Sequence, residues 1–231
     1  KKPTGAKDEF GLRRAAIAII NLVIGKGYRF SLSAAVDEAL KLLEPVLANA
    51  KKKADAPVKP QVLEFIQDRL RPLWGEQNRA DIIEAVVAVG SDDLVSTRQR
   101  LEALSAYVSR PDFSKLAGTF KRVSNIVEKQ AKDIVRDDGV PFDRSKLQDP
   151  AELALADEIT KVTNAMIAGS VNYEQQLAKV VPLGPFVDTF FDKVMVMAED
   201  KALRENRVRL LMEIGGLFGT VADFSKIQSE S

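Results

Sequence analysis

The feature that most constrains this chain is helical periodicity with no alternating segment to interrupt it. Apolar residues recur three and four apart through nearly every stretch, which lines them along one face of an α-helix. Asp8 stands ahead of a run whose apolar face uses Leu12, Ala16, Ile19, Ile20 and Val23, and Gly25 and Gly27 stop it. Ser31 opens a second helix to about Asn49. A third is marked by Val62, Phe65, Ile66, Leu70, Leu73 and Trp74, with Pro72 expected to kink it. Further helices are expected over 79–89, over 92–109 with Ser91 as cap, and over 112–136. After a loop from Asp137 to Asp149, Asp149-Pro150 supplies a cap and a first-position proline for a helix to about Ala168. Helical stretches over 171–197 are broken by Pro182-Leu183-Gly184-Pro185, and Asp200 caps a last helix to about Phe218. The expected fold is all-α, a helical bundle with a short N-terminal two-helix piece.

The charged, proline-bearing run Lys51-Lys52-Lys53-Ala54-Asp55-Ala56-Pro57-Val58-Lys59-Pro60 reads as a linker. It divides the chain into an expected helical piece at 1–50, a linker at 51–60 and a helical bundle at 61–231. The opening Lys1-Lys2-Pro3, without an initiator Met, is that expected of an excised or processed piece.

Composition narrows the chemistry. With no cysteine and no histidine among 231 residues, thiol nucleophiles, Cys/His zinc sites and Ser-His-Asp triads are excluded. The absence of disulfides suits a reducing compartment such as the cytosol. The greasiest stretch, Ile17 to Ile24, is broken by Asn21 and is too short to span a bilayer. Formal net charge is only +1, so any attraction for nucleic acid must come from a local basic surface.

Such a surface is legible from Phe113 to Arg136. Phe113, Leu116, Ala117, Phe120, Val123 and Val127 share one helical arc, the expected core face. Lys121, Arg122, Asn125, Lys129, Lys132 and Arg136 fall opposite, diluted by Glu128 and Asp133. The plainer reading is a solvated helix face; the functional one is a track for a phosphate backbone, with Asn125 free to bond a base edge or ribose. On the last helix, Arg207 falls inside the apolar seam of Leu203, Leu210, Ile214 and Leu217. A guanidinium there needs a partner, Glu199, Asp200 or an acid on a neighbouring helix, and a structural role outweighs RNA contact. Arg204 and Arg209 lie off the seam and face an acidic partner more readily.

Trp74, Phe65 and Phe190-Phe191 sit at helical spacing and read as core, while Tyr107 and Tyr173 are open to base stacking. Asp92-Asp93 falls in a first helical turn, Asp137-Asp138 has no partner at ligand spacing, and Gly215-Gly216 lacks phosphate-loop context. No metal site and no catalytic residues are expected.

Five strings, in order along the chain, resemble those of glycyl-tRNA synthetase β subunits of the bacterial type. They are Pro3–Ala16, Phe65-Ile66-Gln67-Asp68-Arg69-Leu70, Phe120-Lys121-Arg122-Val123-Ser124-Asn125-Ile126, Val194–Arg207 and Ala222-Asp223-Phe224-Ser225-Lys226. Ala6, Glu9, Gly11 and Val208 depart from the family pattern. The resemblance implies a C-terminal β fragment whose bundle is an anticodon-binding domain of the type named for a D-A-L-R motif. Lys201-Ala202-Leu203-Arg204 occupies that motif, with Lys in place of Asp. It further implies that residues 1–50 are the tail of the preceding β body. Catalysis, with ATP and Mg, belongs to the α subunit, and no cofactor is expected in this fragment. The implied partners are tRNA-Gly, the α subunit and the remaining β domains, in the cytoplasm and away from membranes. The residues expected to contact RNA, on geometry alone, are Lys121, Arg122, Asn125, Lys129 and Arg204. Two rivals remain: a protein-interaction module that touches no RNA, and a helical enzyme built on a pair such as Ser225-Lys226 near a frayed terminus.

Overall fold

A computed structural model of the protein describes residues 8, 10–48, 57–111, 113–128, 139–167 and 172–228. The described residues are helical with no strand, so the fold is all-α. Eleven α-helices are described. In chain order they are α1 Leu12–Lys26, α2 Leu32–Ala48, α3 Val58–Gln67, α4 Leu70–Trp74, α5 Ala80–Ala88 and α6 Leu94–Val108. They continue as α7 Phe113–Ile126, α8 Pro150–Ile167, α9 Tyr173–Val180, α10 Gly184–Lys193 and α11 Lys201–Gly219. Short 3₁₀ turns stand at Arg144–Lys146, Val181–Leu183 and Phe224–Lys226. Two compact units form, Lys1–Leu101 and Glu102–Ser231, and the division falls within α6. Of the expected linker, residues 51–56 lie outside the described residues. Helix α3 begins at Val58, inside the expected linker, and packs against α2, with Lys59 paired to Asp37 at 2.6 Å.

In the first unit the punctuation acts as the residues suggest. The Asp8 carboxylate accepts the amides of Arg13 and Arg14 at 3.2 and 3.3 Å. At the other end of α1, Gly27 takes φ +68°, and the amides of Gly27 and Tyr28 return to Ile24 and Val23, closing the helix. The expected kink at Pro72 is a full break between α3 and α4. Proline has no amide to give the carbonyl of Asp68, and the chain turns at Asp68-Arg69. The cap of α6 also differs from expectation. Asp93, not Ser91, accepts the first-turn amide of Ser96, and the Ser91 hydroxyl is buried without a partner among the described residues. Asp92 and Asp93 are structural ties: Asp92 takes the amide of Ser33 at 2.7 Å, and Asp93 takes Arg29 Nε at 3.0 Å. Arg100, buried, caps the end of α5 through the carbonyls of Val86 and Gly90.

In the second unit α7, α8, α10 and α11 enclose a core of Leu155, Ile159, Val187, Phe190, Val208, Leu211 and Ile214. Phe120, Phe218 and Phe224 stack into one cluster, with ring centroids 4.8, 5.5 and 5.0 Å apart. This cluster seats the Phe224–Lys226 turn against α7, so the expected fraying does not extend to Ser225-Lys226: Phe224 and Ile227 are each 1% exposed. Helix α10 stops at Lys193, short of the expected 197. Val194 turns extended (φ −117°, ψ 123°), and alternate residues then point in and out: Val194 and Val196 are buried, Met195 and Met197 exposed. Two β-branched side chains two apart reach the core from an extended segment, whereas on a helix they would diverge by about 200°.

Candidate nucleic-acid interface

Helix α7 carries most of the candidate residues. On its inner arc Phe113, Ala117, Phe120 and Val123 are buried and Leu116 and Val127 half-buried, as the periodicity requires. On its outer side Arg122 is exposed, while Lys121 and Asn125 are half-buried. Lys129, with Lys132 and Arg136, lies outside the described residues, as does Asp137-Asp138. The outer cations are not a simple row. Lys121 leans toward the chain's end, and its ammonium donates to the carbonyl of Ile227 at 2.8 Å. Arg122 leans toward α10, where its guanidinium carbon sits 4.0 Å from the centroid of the Phe191 ring. No hydrogen bond or ion pair engages that guanidinium among the described residues.

The connector from Val194 to Asp200 is pinned from α11. Arg207 is buried in the apolar seam, as expected of a structural residue, and its partner is Glu152 in the first turn of α8 rather than Glu199 or Asp200. Arg207 Nε donates to Glu152 Oε1 at 2.5 Å, and Nη1 donates to the carbonyl of Met195 at 2.9 Å. Glu152 Oε2 also accepts the amides of Gln148 and Asp149 at 2.7 and 2.8 Å. Burial pushes the Glu152 carboxyl upward, but the guanidinium and the two amides outweigh it and hold the group below its ordinary value. Arg204 donates to the carbonyl of Ala198 at 2.9 Å, further along the same connector. Asn206 clamps Asp143 from both sides, accepting its amide at 2.7 Å and donating to its carbonyl at 2.9 Å. Arg209 donates to the carbonyl of Val140 at 2.6 Å. The polar residues of the Leu203–Arg209 stretch therefore latch loops onto α11.

Between α7, α10 and the connector lies a surface hollow of about 510 Å³, walled by Arg122, Ile126, Phe191 and the segment from Asp192 to Met197. Met195 is 73% exposed and Met197 44%. The charges at its rim are Arg122 and Lys193 against one carboxylate, Asp192. Of the five residues expected to contact RNA, the structure sets only Arg122 in the wall of this hollow; Arg204, on α11, bonds the connector beyond it at Ala198, and Lys121 is drawn elsewhere. Phe191, Lys193, Met195 and Met197 also line the hollow, whereas residue order read Phe190-Phe191 as core and gave the other three no role. Phe191 had a signal: two adjacent phenylalanines lie about 100° apart on a helix, so both cannot face one core. Phe190 is buried and Phe191 is not.

The other candidates resolve differently. Lys226 lies 3.8 Å from Asp223, three residues away. The face of Tyr107 is covered by Arg110, whose guanidinium lies 5.1 Å from the ring centroid. Among the described residues no group of three acidic side chains is set to hold a metal ion. No described helix is long and apolar enough to cross a membrane.

Residues 1–88 match a family model described as glycyl-tRNA synthetase beta subunit, and residues 116–223 match one described as DALR anticodon binding domain. The glycine–tRNA ligase beta subunit of Myxococcus xanthus is 58% identical over 235 residues, covering 100% of this chain and 33% of that protein. Those of Anaeromyxobacter dehalogenans and Geobacter metallireducens are 46% and 43% identical, covering 100% and 97% of this chain and 32% of each relative. The chain thus spans about a third of the length of its curated relatives. With both family models matching in order and identity sustained along the whole chain, it belongs to the glycyl-tRNA synthetase β-subunit family and contains a DALR domain.

Proposed function

We propose that this chain is the non-catalytic, tRNA-binding portion of a glycine–tRNA ligase β subunit, recognising the anticodon arm of tRNA-Gly while the α subunit attaches glycine. What carries the reading is the match of residues 116–223 to a DALR anticodon binding domain, on a bundle whose outer α7 face presents Arg122 with no hydrogen bond or ion pair among the described residues. A planar guanidinium without a protein acceptor suits phosphate oxygens and unstacked bases alike. Lys121, Asn125, Lys129 and Arg204 complete the proposed contact set. The function is cytoplasmic, and ATP and Mg²⁺ act in the α subunit.

A second contact is supported in the first unit. Leu22, Tyr28, Leu42 and Val46 are 56, 55, 81 and 68% exposed on or beside α1 and α2. Large apolar side chains exposed on consecutive elements are what a docking surface would use. The proposed occupants are the remaining β domains and the α subunit, since two-thirds of each relative's length lies outside this chain.

The test is tRNA-Gly binding to the chain and to a variant with Lys121→Glu, Arg122→Glu and Lys129→Glu, measured across salt concentration. Reversal of phosphate-facing charges lowers affinity at least tenfold and flattens the dependence of log K on log salt by about 0.7 to 0.9 for each phosphate no longer neutralised. Unchanged affinity and slope eliminate the α7 surface.

A further inference from the structure

We infer that the hollow between α7, α10 and the connector seats a single unstacked base of the bound RNA, lying on the Arg122 guanidinium; this rests on the RNA-binding reading and adds its point of base contact. The Arg122–Phe191 stack supplies the platform. The guanidinium carbon lies over the Phe191 ring at 4.0 Å while Arg122 as a whole is exposed, so a charged planar group is held at the surface of the hollow. Arginine planes and aromatic rings are the surfaces on which single-stranded bases stack, and prior ordering removes part of the entropy cost of binding.

The walls fit the same occupant. Met195 and Met197 stand out from the connector, 73% and 44% exposed, and thioethers make favourable contacts with aromatic rings. Their placement is not loose. Val194 and Val196, which alternate with them, are buried, and the Met195 carbonyl is held by Arg207. Sliding the connector by one residue would expose the valines and bury the methionines, so the register that presents the thioethers is set by the core. Lys193 also lines the hollow, with no ion-pair partner among the described residues, and supplies a positive charge for the phosphate of a base lying inside. An apolar hollow alone would suit a protein side chain equally. A guanidinium lying over a ring with a second cation, Lys193, beside it, neither of them ion-paired among the described residues, favours a nucleotide.

The test uses the anticodon stem-loop of tRNA-Gly with each loop base replaced in turn by an abasic site, titrated into the 231-residue chain and read by fluorescence anisotropy. For the wild type, one abasic position weakens binding about 5- to 150-fold, the range for a missing base–side-chain stack. Arg122→Lys keeps the charge and removes the plane, so it weakens the intact RNA comparably, keeps the salt slope and no longer senses that position. Met195→Ser and Met197→Ser, both on exposed side chains, lose the same discrimination while unfolding as the wild type does. Variants that retain full discrimination at every position overturn the seat while leaving RNA binding intact. A wild-type chain that binds no stem-loop overturns both readings.

Discussion

Glu152 and Arg207 form the costliest pair in the second unit to disturb singly. The carboxylate is 0% exposed and the guanidinium side chain 9%, so either left alone is a buried charge without its counter-ion. Arg207→Ala is expected to destabilise the chain by about 3–5 kcal/mol in urea denaturation. The pair also sets an acid sensitivity. Because the folded carboxyl titrates below its ordinary value of 4.5, its contribution is complete above that pH and is lost as pH falls through the lower folded value. Glu152→Gln should flatten the wild-type loss of stability below pH about 4.5. Glu213 works the opposite way: burial raises its carboxyl, so its share of stability grows on acidification and is lost as pH rises through the folded value. The need for a partner at Arg207 was legible in the periodicity. The partner was not, because Glu152 is 55 residues away and only packing of α8 on α11 brings them together.

Element ends were the most legible local features, since a cap is a contact between near neighbours. Asn172 and Gln175 close a capping box on α9, and Asp200 accepts the amide of Leu203 at 2.8 Å to start α11. Asp200→Ala is expected to cost about 0.5–2 kcal/mol in thermal or urea unfolding. The far end of α11 shows the limit of local reading. Its terminal carbonyl at Leu217 is satisfied by Gln176 Nε2 at 2.7 Å, a side chain on α9 that no local pattern points to. The Val194–Met197 stretch failed for another reason. Four apolar residues in a row carry both helical and extended periods, and burial of the valines, not intrinsic preference, selects the extended form.

At the scale of the whole molecule, a net charge of +1 leaves binding to local arrangement, and the two units carry different surfaces. In the first, the apolar side chains on α1 and α2 face water in this chain, so truncating one removes little folding energy. Leu42→Ser should change unfolding free energy by no more than about 0.5 kcal/mol, while weakening capture of the remaining β domains and α subunit in a pull-down. A large loss of stability would instead assign Leu42 to this chain's own core. The helical class, most helix ends, the core face of α7 and the burial of Arg207 followed from residue order alone, because each is governed by neighbours within a turn or two. Which acid meets Arg207, where α10 gives way to the connector, and how Arg122 comes to lie on Phe191 were decided only by the fold. Those arrangements join residues distant in the chain, 55 positions apart for Glu152 and Arg207, or select between local forms of nearly equal energy, and only the shared burial of a core breaks such ties.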